Sequence, residues 1–328
     1  MVAVGQANRE KFGNCFDSGG TTMRIVMIAM LAAIATGGQG RFGSGAEKPD
    51  APPRIRMQEI LDVKCKDVNV WAFSPTTREL FVSHCDTNTN LFQWNIAEKK
   101  LLHTYPCPKD HLRWDELAVS PDGELLVAAT YPNDIMAKAK VFFIDTRAHQ
   151  IRFTTEYKPL VRSIKFDRSG KLISIATTWP GPDPFVYDRE GKKHSEFNRK
   201  DFEPETKDRL WDVGESKGGP PPGLFYRDAN RAVHRLDDHP LNQDYALTKD
   251  GNYIGTSTWD QRVRVWRTSD LKEVFNERIG LDPVSMKLGR TPVTIWHPVQ
   301  LLYDSGENQF LVLGGGDNTH LRAIKLPR

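Results

Sequence analysis

Short apolar runs separated by turn-forming residues recur along the chain from about residue 57 onward. In each unit a strand enters a turn of the Ser-Pro-Asp-Gly type, and a second apolar strand follows. A tight turn then leads to a third strand of alternating apolar residues. Proline fixes φ in the first turn, Asp or Ser bonds the local backbone, and Gly accepts a positive φ. Because no long helical pattern is present, we expect an all-β fold of repeated strands.

The spacing of the units indicates how they assemble. Successive first turns lie 46, 47, 81 and 56 residues apart, measured between Ser74, Ser120, Asp167, Thr248 and Asp304. The step of 81 is nearly two repeats, so we expect a degenerate unit at residues 209–213, 223–228 and 232–236. A period of about 40–45 residues with four strands per unit is typical of a β-propeller. We predict six blades, with seven as the alternative, and residues 53–63 as the strand that completes the last blade.

The run TSTWDQRVRVW at residues 256–266 resembles the junction between the second and third strands of a WD40 repeat. The resemblance implies that Asp260 lies in the tight turn and that Trp266 closes the third strand. It also implies that His239, nine residues before Thr248, bonds Asp260 through the hydroxyl residue of the first strand. In WD40 proteins this tetrad ties the strands of one blade together, so its expected role here is structural.

The WD40 resemblance extends over roughly residues 57–328, with departures. His111 precedes Ser120 by nine residues, and Asp134 is the nearest candidate for its partner. The corresponding positions of the first and last units are held by Asp86, Trp94 and Asp317. No unit ends in an intact Trp-Asp pair, and the glycine that usually precedes the histidine is missing.

The amino terminus has the pattern of a targeting segment. Arg24 precedes the uncharged run IVMIAMLAAIA, so residues 23–35 are predicted to be a secretory signal peptide, with a retained anchor as the alternative. Residues 1–22 are polar, and we interpret them as a non-native extension. Residues 36–54 are rich in Gly, Pro and Ala and predict a flexible linker. Residues 55–328 would then form a single propeller outside the cytoplasm, either periplasmic or secreted.

Composition narrows the class of protein. Hydrophobic residues make up 39% and charged residues 27% of the 328 residues, which excludes wholesale disorder and a polytopic membrane protein. A net charge of +3 argues against a dedicated nucleic-acid binder. After export the mature chain would keep Cys65, Cys85 and Cys107, which allow at most one disulfide. Which two of them pair is left open.

Motifs for catalysis or metal binding are missing from the sequence. HExxH, CxxC and H-x-H patterns do not occur. His84, Cys85 and Asp86 are contiguous, and adjacent residues of a strand point to opposite faces, so they do not make one metal site. The run GGGDN at 314–318 lacks the Lys and Ser/Thr of a phosphate-binding loop. The sequence therefore predicts no catalytic residue, no cofactor and no metal.

The charged and Pro/Gly-rich stretch 195–223 is the most unusual part of the chain. It is interpreted in two ways: as a decayed blade with a long surface loop, or as a partner-binding insertion. The insertion would be anchored by the aromatic residues Phe202, Trp211, Phe225 and Tyr226.

Two functions remain open. The first is a non-catalytic, monomeric propeller that binds an unidentified protein or peptide, without nucleic acid and without a membrane span in the mature chain. The second is an exported propeller enzyme, lactonase-like or acting on sugars, with a divalent ion at the channel. Three or more carboxylate or His side chains converging on the channel would favour the enzyme. An exposed face with aromatic and Arg residues would favour the binding platform.

Overall fold

The structure is a computed structural model that describes residues 55–327 apart from short internal segments. Those segments are 64–67, 85–89, 135–136, 159, 179–183, 196–197, 203–208, 214–222, 238–241, 259–260, 280–283, 289–290, 296–298 and 315–318. The predicted signal peptide and linker lie outside the described residues. So do six residues singled out above, namely Cys65, Cys85, Asp86, His239, Asp260 and Asp317.

Strands dominate the described residues, and most belong to antiparallel sheets formed by consecutive strands. The chain begins with β1 (Met57–Asp62). Sheet 1 contains β2 (Val68–Ser74), β3 (Glu79–His84), β4 (Leu91–Asn95) and β5 (Lys100–Tyr105). Sheet 2 contains β6 (His111–Val119), β7 (Leu125–Pro132), β8 (Ala139–Asp145) and β9 (Gln150–Tyr157). Sheet 3 contains β10 (Val161–Phe166), β11 (Leu172–Thr177), β12 (Phe185–Asp188) and β13 (Lys193–His194).

The second half of the chain repeats this plan with two variations. After the short helix α1 (Arg199–Phe202), sheet 4 has three strands, β14 (Leu210–Val213), β15 (Gly223–Arg227) and β16 (Val233–Asp237). Sheet 5 contains β17 (Asn242–Leu247), β18 (Tyr253–Thr258), β19 (Arg262–Arg267) and β20 (Lys272–Arg278). The hairpin of β21 (Val284–Leu288) and β22 (Thr291–Ile295) precedes sheet 6, which contains β23 (Gln300–Asp304), β24 (Gln309–Gly314) and β25 (His320–Lys325). Sheet 4 is the degenerate unit predicted from the long repeat step, and its existence is confirmed.

The fourth strand of sheet 6 comes from the other end of the described chain. β1 pairs antiparallel with β25, with Met57 opposite Ile324 and Asp62 opposite His320. The sheet order is therefore β1-β25-β24-β23. This is the pairing predicted for residues 53–63, and it covers an edge of β25 that would otherwise be exposed.

Apolar cores lie between neighbouring sheets. Trp71 and Leu80 of sheet 1 share one cluster with Leu311 and Leu321 of sheet 6. Corresponding clusters join sheets 1 and 2, sheets 2 and 3, sheets 4 and 5, and sheets 5 and 6. Burying a large apolar side chain contributes about 1.5–3 kcal/mol, so these contacts hold successive sheets together. Six successive antiparallel sheets, most of them packed in this way, form an all-β architecture consistent with a multi-bladed β-propeller, as predicted.

The first turn of sheet 2 uses the chemistry expected from its sequence. In sheet 2 the Ser120 hydroxyl donates to Asp122 at 2.6 Å and accepts the Leu125 N–H at 2.9 Å. Gly123 in this turn has a φ of +79°, and a Cβ there would lie 2.5 Å from Thr77 in sheet 1. Glycine at this position therefore allows both the positive φ of the turn and the close approach of sheet 1.

Candidate binding face on the second sheet

Sheet 2 has an unusually long first strand. β6 has nine residues, whereas β2, β10, β17 and β23 have seven, six, six and five. Its register with β7 shifts between His111 and Arg113, so Leu112 is the extra residue of a bulge. Leu112 is 51% exposed. Bulges commonly re-aim side chains near functional surfaces, and this one presents an apolar side chain to solvent.

A cation–π pair lies beside the bulge. The Arg113 guanidinium carbon is 5.1 Å from the ring centroid of Tyr131 on β7. Arg113 Nε also donates to Asp115 Oδ1 at 3.3 Å, and the Asp115 side chain is almost fully buried. The aromatic ring and the carboxylate hold the arginine in one orientation while leaving it partly exposed.

An open cleft of about 460 Å³ adjoins these residues at the same end of sheet 2. Its lining comes from the segments before β6, after β7, before and at the start of β8, and near the end of β9. The lining residues are Asp110, His111, Asn133, Asp134, Ala137, Lys138, Lys140 and Glu156. Two ion pairs cross it, because Lys140 Nζ lies 2.7 Å from Asp110 Oδ2 and Lys138 Nζ lies 3.1 Å from Glu156 Oε2. We call this cleft, together with Leu112, Arg113 and Tyr131, the sheet 2 face.

His111 forms the buried floor of the cleft, with a side chain only 2% exposed. Its Nδ1 lies 2.9 Å from Asp110 Oδ1, and its Nε2 lies 3.4 Å from the carbonyl oxygen of Lys138. Hydrogen bonds from Lys140, and next from His111, lower the pKa of Asp110 to about 2. The sequence named Asp134 as the nearest candidate partner of His111, whereas the two imidazole nitrogens lie beside Asp110 Oδ1 and the Lys138 carbonyl oxygen.

Thr248, one member of the tetrad expected in sheet 5, lies in the turn between β17 and β18. Its hydroxyl donates to Asp250 at 2.6 Å and accepts the Tyr253 N–H at 3.0 Å. Thr258 lies at the opposite end of the sheet, because it pairs with Asn242 at the start of β17. The hydrogen bonds of the Thr248 hydroxyl therefore close its own turn, while the expected partners His239 and Asp260 lie outside the described residues.

The other members of the expected tetrads are placed in part. Trp266 lies near the end of β19 and packs against the core shared by sheets 4 and 5. Trp94 lies on β4 and packs against the core shared by sheets 1 and 6. Both are packing residues in third strands.

The predicted partner-binding aromatic residues do not form an exposed set. Phe202, on α1, is 7% exposed, and Tyr226, on β15, is 3% exposed. The Tyr226 hydroxyl accepts a hydrogen bond from Arg209 at 2.8 Å. Phe225 is half-buried, and Trp211 lies on β14, its side chain being outside the described set. Phe202 and Tyr226 are therefore buried rather than exposed, and Tyr226 belongs to the core shared by sheets 4 and 5.

Polar side chains of several first strands bond across to the first strand of the next sheet. Asp244 Oδ2 accepts the Leu301 N–H at 3.2 Å, and Gln300 Nε2 donates to the Asn69 carbonyl at 3.5 Å. Asn69 Nδ2 in turn donates to the carbonyl of Trp114. These bonds link sheet 5 to sheet 6, sheet 6 to sheet 1 and sheet 1 to sheet 2, so they help to hold the sheets together.

Metal-binding groups and membrane-spanning helices bear on the class of site. Within the described part of the chain, no three or more His, Cys, Asp or Glu side chains are grouped so as to hold a metal ion. None of the helices described there has the length and apolar character needed to cross a membrane.

Sequence reasoning missed Leu112, Arg113 and Tyr131. The available signal was the run HLRWDELAV, which is longer than the other first strands. The position of the bulge depends on how β6 pairs with β7, so it is not visible in one segment alone.

These observations define an all-β protein of repeated sheets with an exposed, mixed apolar and charged face on sheet 2. Comparison with known proteins adds no relative, since no protein-family model and no curated protein matches the chain.

Proposed function

We propose that this chain is a divergent, WD40-like propeller that acts as a non-catalytic platform for a protein or peptide segment, bound at the sheet 2 face. The observation that carries this proposal is the exposed Leu112, set in a bulge beside the Arg113–Tyr131 pair at the edge of an open cleft. Functional residues concentrate at segments that a rigid scaffold positions, and sheet 2 supplies that scaffold.

The composition of the face supports binding to a polypeptide. Aromatic and arginine side chains are enriched among residues that contribute most to protein interfaces. Leu112 offers apolar area, and Arg113 offers a guanidinium held in place by Tyr131 and Asp115. A partner that supplies an apolar side chain beside an acidic one would match this pair.

The charges of the cleft suggest how a partner would be selected. Lys138 and Lys140 pair with Glu156 and Asp110 across the opening, and three of these four side chains are about half exposed or more. An incoming segment with charges of both signs can exchange with these pairs at little cost, because exposed ion pairs contribute little stability. Binding should therefore weaken as salt is added.

We also propose that the protein acts outside the cytoplasm. Support comes from the basic residue and uncharged apolar run at residues 24–35. Mass spectrometry of the exported protein would test it. A mature chain that starts after residue 35 is expected, and a chain that starts before Met23 would contradict the proposal.

The binding proposal can be tested with peptides selected from a displayed library on the immobilised full chain. We expect the selected peptides to lose at least about tenfold in affinity for Leu112→Asp, as is usual when an anchor residue of an interface is removed. Ile151→Asp is the matched control, because Ile151 is 54% exposed on β9 of the same sheet but lies outside the cleft lining. Equal affinity for the wild type and Leu112→Asp, or an equal loss with Ile151→Asp, would overturn the assignment of this face.

A further inference from the structure

Two imidazole rings from different sheets are stacked at the junction of sheets 1 and 2. His103 lies on β5, and His149 lies in the turn between β8 and β9. Their ring centroids are 4.5 Å apart, and the ring planes differ by only 4°. The contact therefore joins the outermost strand of sheet 1 to a turn of sheet 2.

A hydrogen-bond network fixes the stack in position. Gln93 Nε2 donates to Glu79 Oε2 at 3.0 Å and to the Thr146 carbonyl at 3.2 Å. Gln93 Oε1 must then face the Tyr105 hydroxyl, which donates to it at 2.7 Å. The Tyr105 oxygen lies 3.3 Å from His149 Nδ1. Since the Tyr105 hydroxyl donates its only proton in the hydrogen bond to Gln93, its oxygen accepts a hydrogen bond from the Nδ1–H of His149.

We propose that the stacked pair His103–His149 is an acid-sensitive joint between sheets 1 and 2, closed when both rings are neutral and weakened when they are protonated. Neutral rings stack favourably, whereas two imidazolium ions at this separation repel each other. Histidine is the side chain whose ordinary titration falls between about pH 5 and 8, so mild acid is sufficient to weaken the joint.

Four other ionisable side chains lie around the stacked rings. They are Tyr105 on β5, Glu79 on β3, Asp145 on β8 and Arg147 in the turn. Burial, and next the neighbouring His149, lower the pKa of His103. Burial raises the pKa of Glu79, against the opposing effect of its bond to Gln93.

The lowered pKa of His103 determines how the stability of the joint changes with pH. Because the pKa of His103 is lower in the folded chain, the unfolded chain binds the proton more readily. The stability that the joint contributes is fully present above the ordinary histidine range, and it is lost as the pH falls through that range. Glu79 acts in the opposite sense because its pKa is raised. The window for the joint lies near and just below about pH 6.5, the ordinary pKa of histidine.

The backbone offers a suitable variant for the test. His149 has a φ of +55°, a conformation that Asn adopts more readily than most residues. His149→Asn therefore removes the imidazole while retaining the turn. His103→Gln removes the other ring from β5. His234→Asn is the control, because that imidazole pairs with a carboxylate, Asp228, in sheet 4.

The experiment compares the melting temperature of the full chain at about pH 8 and pH 5.5, the limits of the histidine range. We expect the wild type to lose about 2–4 °C more than His149→Asn between these two conditions, on the scale of one kilocalorie per mole for a chain of this size. His103→Gln and the double variant should show the same reduced loss, because either change abolishes the stack. His234→Asn should keep the acid loss of the wild type.

Hydrogen exchange on the wild type provides a second readout, which remains informative if a variant fails to fold. In mild acid the amides of β5 and residues 146–150 should lose protection relative to those of β19 in sheet 5. Equal acid losses in the wild type, His149→Asn and His103→Gln would overturn the proposal. Unchanged relative protection of β5 and residues 146–150 would overturn it as well.

Discussion

His234 Nε2 lies 3.0 Å from Asp228 Oδ2 across the turn between β15 and β16, and His194 and Asp188 repeat this pair at 3.2 Å between β12 and β13. In both turns the other carboxylate oxygen accepts backbone N–H groups two and four residues further along. The carboxylate therefore closes the turn and anchors the first residues of the next strand. The repeat of this arrangement in sheets 3 and 4 shows that the degenerate unit retains the plan of its neighbour.

Replacing Asp228 with Asn should lower the melting temperature slightly at pH 7. Asn keeps an acceptor for the turn but loses the charge that faces His234. The effect is small because both side chains are partly exposed. The bond to His234 lowers the pKa of Asp228, so its contribution is present above the ordinary range of Asp and is lost as the pH falls through its lowered value. Thermal unfolding at pH 7 and about pH 2 checks this, and an equal deficit at both would contradict the pairing.

Gly255 on β18 and Phe310 on β24 are in close contact across sheets 5 and 6. A Cβ at Gly255 would lie 2.9 Å from Phe310 Cε1. Gly255→Ala should therefore lower the free energy of unfolding by about 1–3 kcal/mol, as overpacking of a core usually does. The double variant Gly255→Ala, Phe310→Leu should lose less than the sum of its single changes in urea unfolding. Strict additivity would show that the two side chains do not compete for space.

The predictable part of the fold was encoded in local residues. Turn chemistry around Ser120 and the repeat step that implied a unit at residues 209–236 both depend on short stretches of sequence. The candidate site was not predictable in this way. Leu112 is exposed because of a register shift between β6 and β7, and Tyr226 is buried because of packing between sheets 4 and 5. Register and packing between distant segments leave little trace in one sequence.

The pairing of β1 with β25 should contribute strongly to stability through Leu61. This side chain is 4% exposed and belongs to the core shared by sheets 1 and 6. Leu61→Ala should lower the free energy of unfolding by about 2–5 kcal/mol, the usual range for such a cavity. Gln58→Ala, on the exposed side of the same strand, should change it by no more than about 0.5 kcal/mol. Urea unfolding measures both, and equal small effects would mean that β1 does not complete this core.

Asp244 is a buried carboxyl group between sheets 5 and 6 whose ionisation should reduce stability. Its Oδ2 accepts the Leu301 N–H, while its Oδ1 has no hydrogen-bond partner among the residues that the structure describes. Burial raises the pKa of Asp244 to about 7, and the bond from Leu301 only partly opposes this. Because the folded pKa lies above the unfolded value of 3.8, stability is fully present below about pH 4 and is lost as the pH rises through 7.

Asp244→Asn removes the ionisation while keeping the acceptor for Leu301, so it should be more stable than the wild type at pH 8. A shift of this size corresponds to roughly 4 kcal/mol before it is reduced by the cost of a buried amide NH₂ with no acceptor. Below pH 4 the two proteins should unfold at similar urea concentrations. Asp244→Leu is the control, because it also removes the acceptor and should be less stable than Asp244→Asn. If the wild type and Asp244→Asn differ equally at all pH values, the carboxyl group does not ionise in this range, and its burial costs nothing at neutral pH.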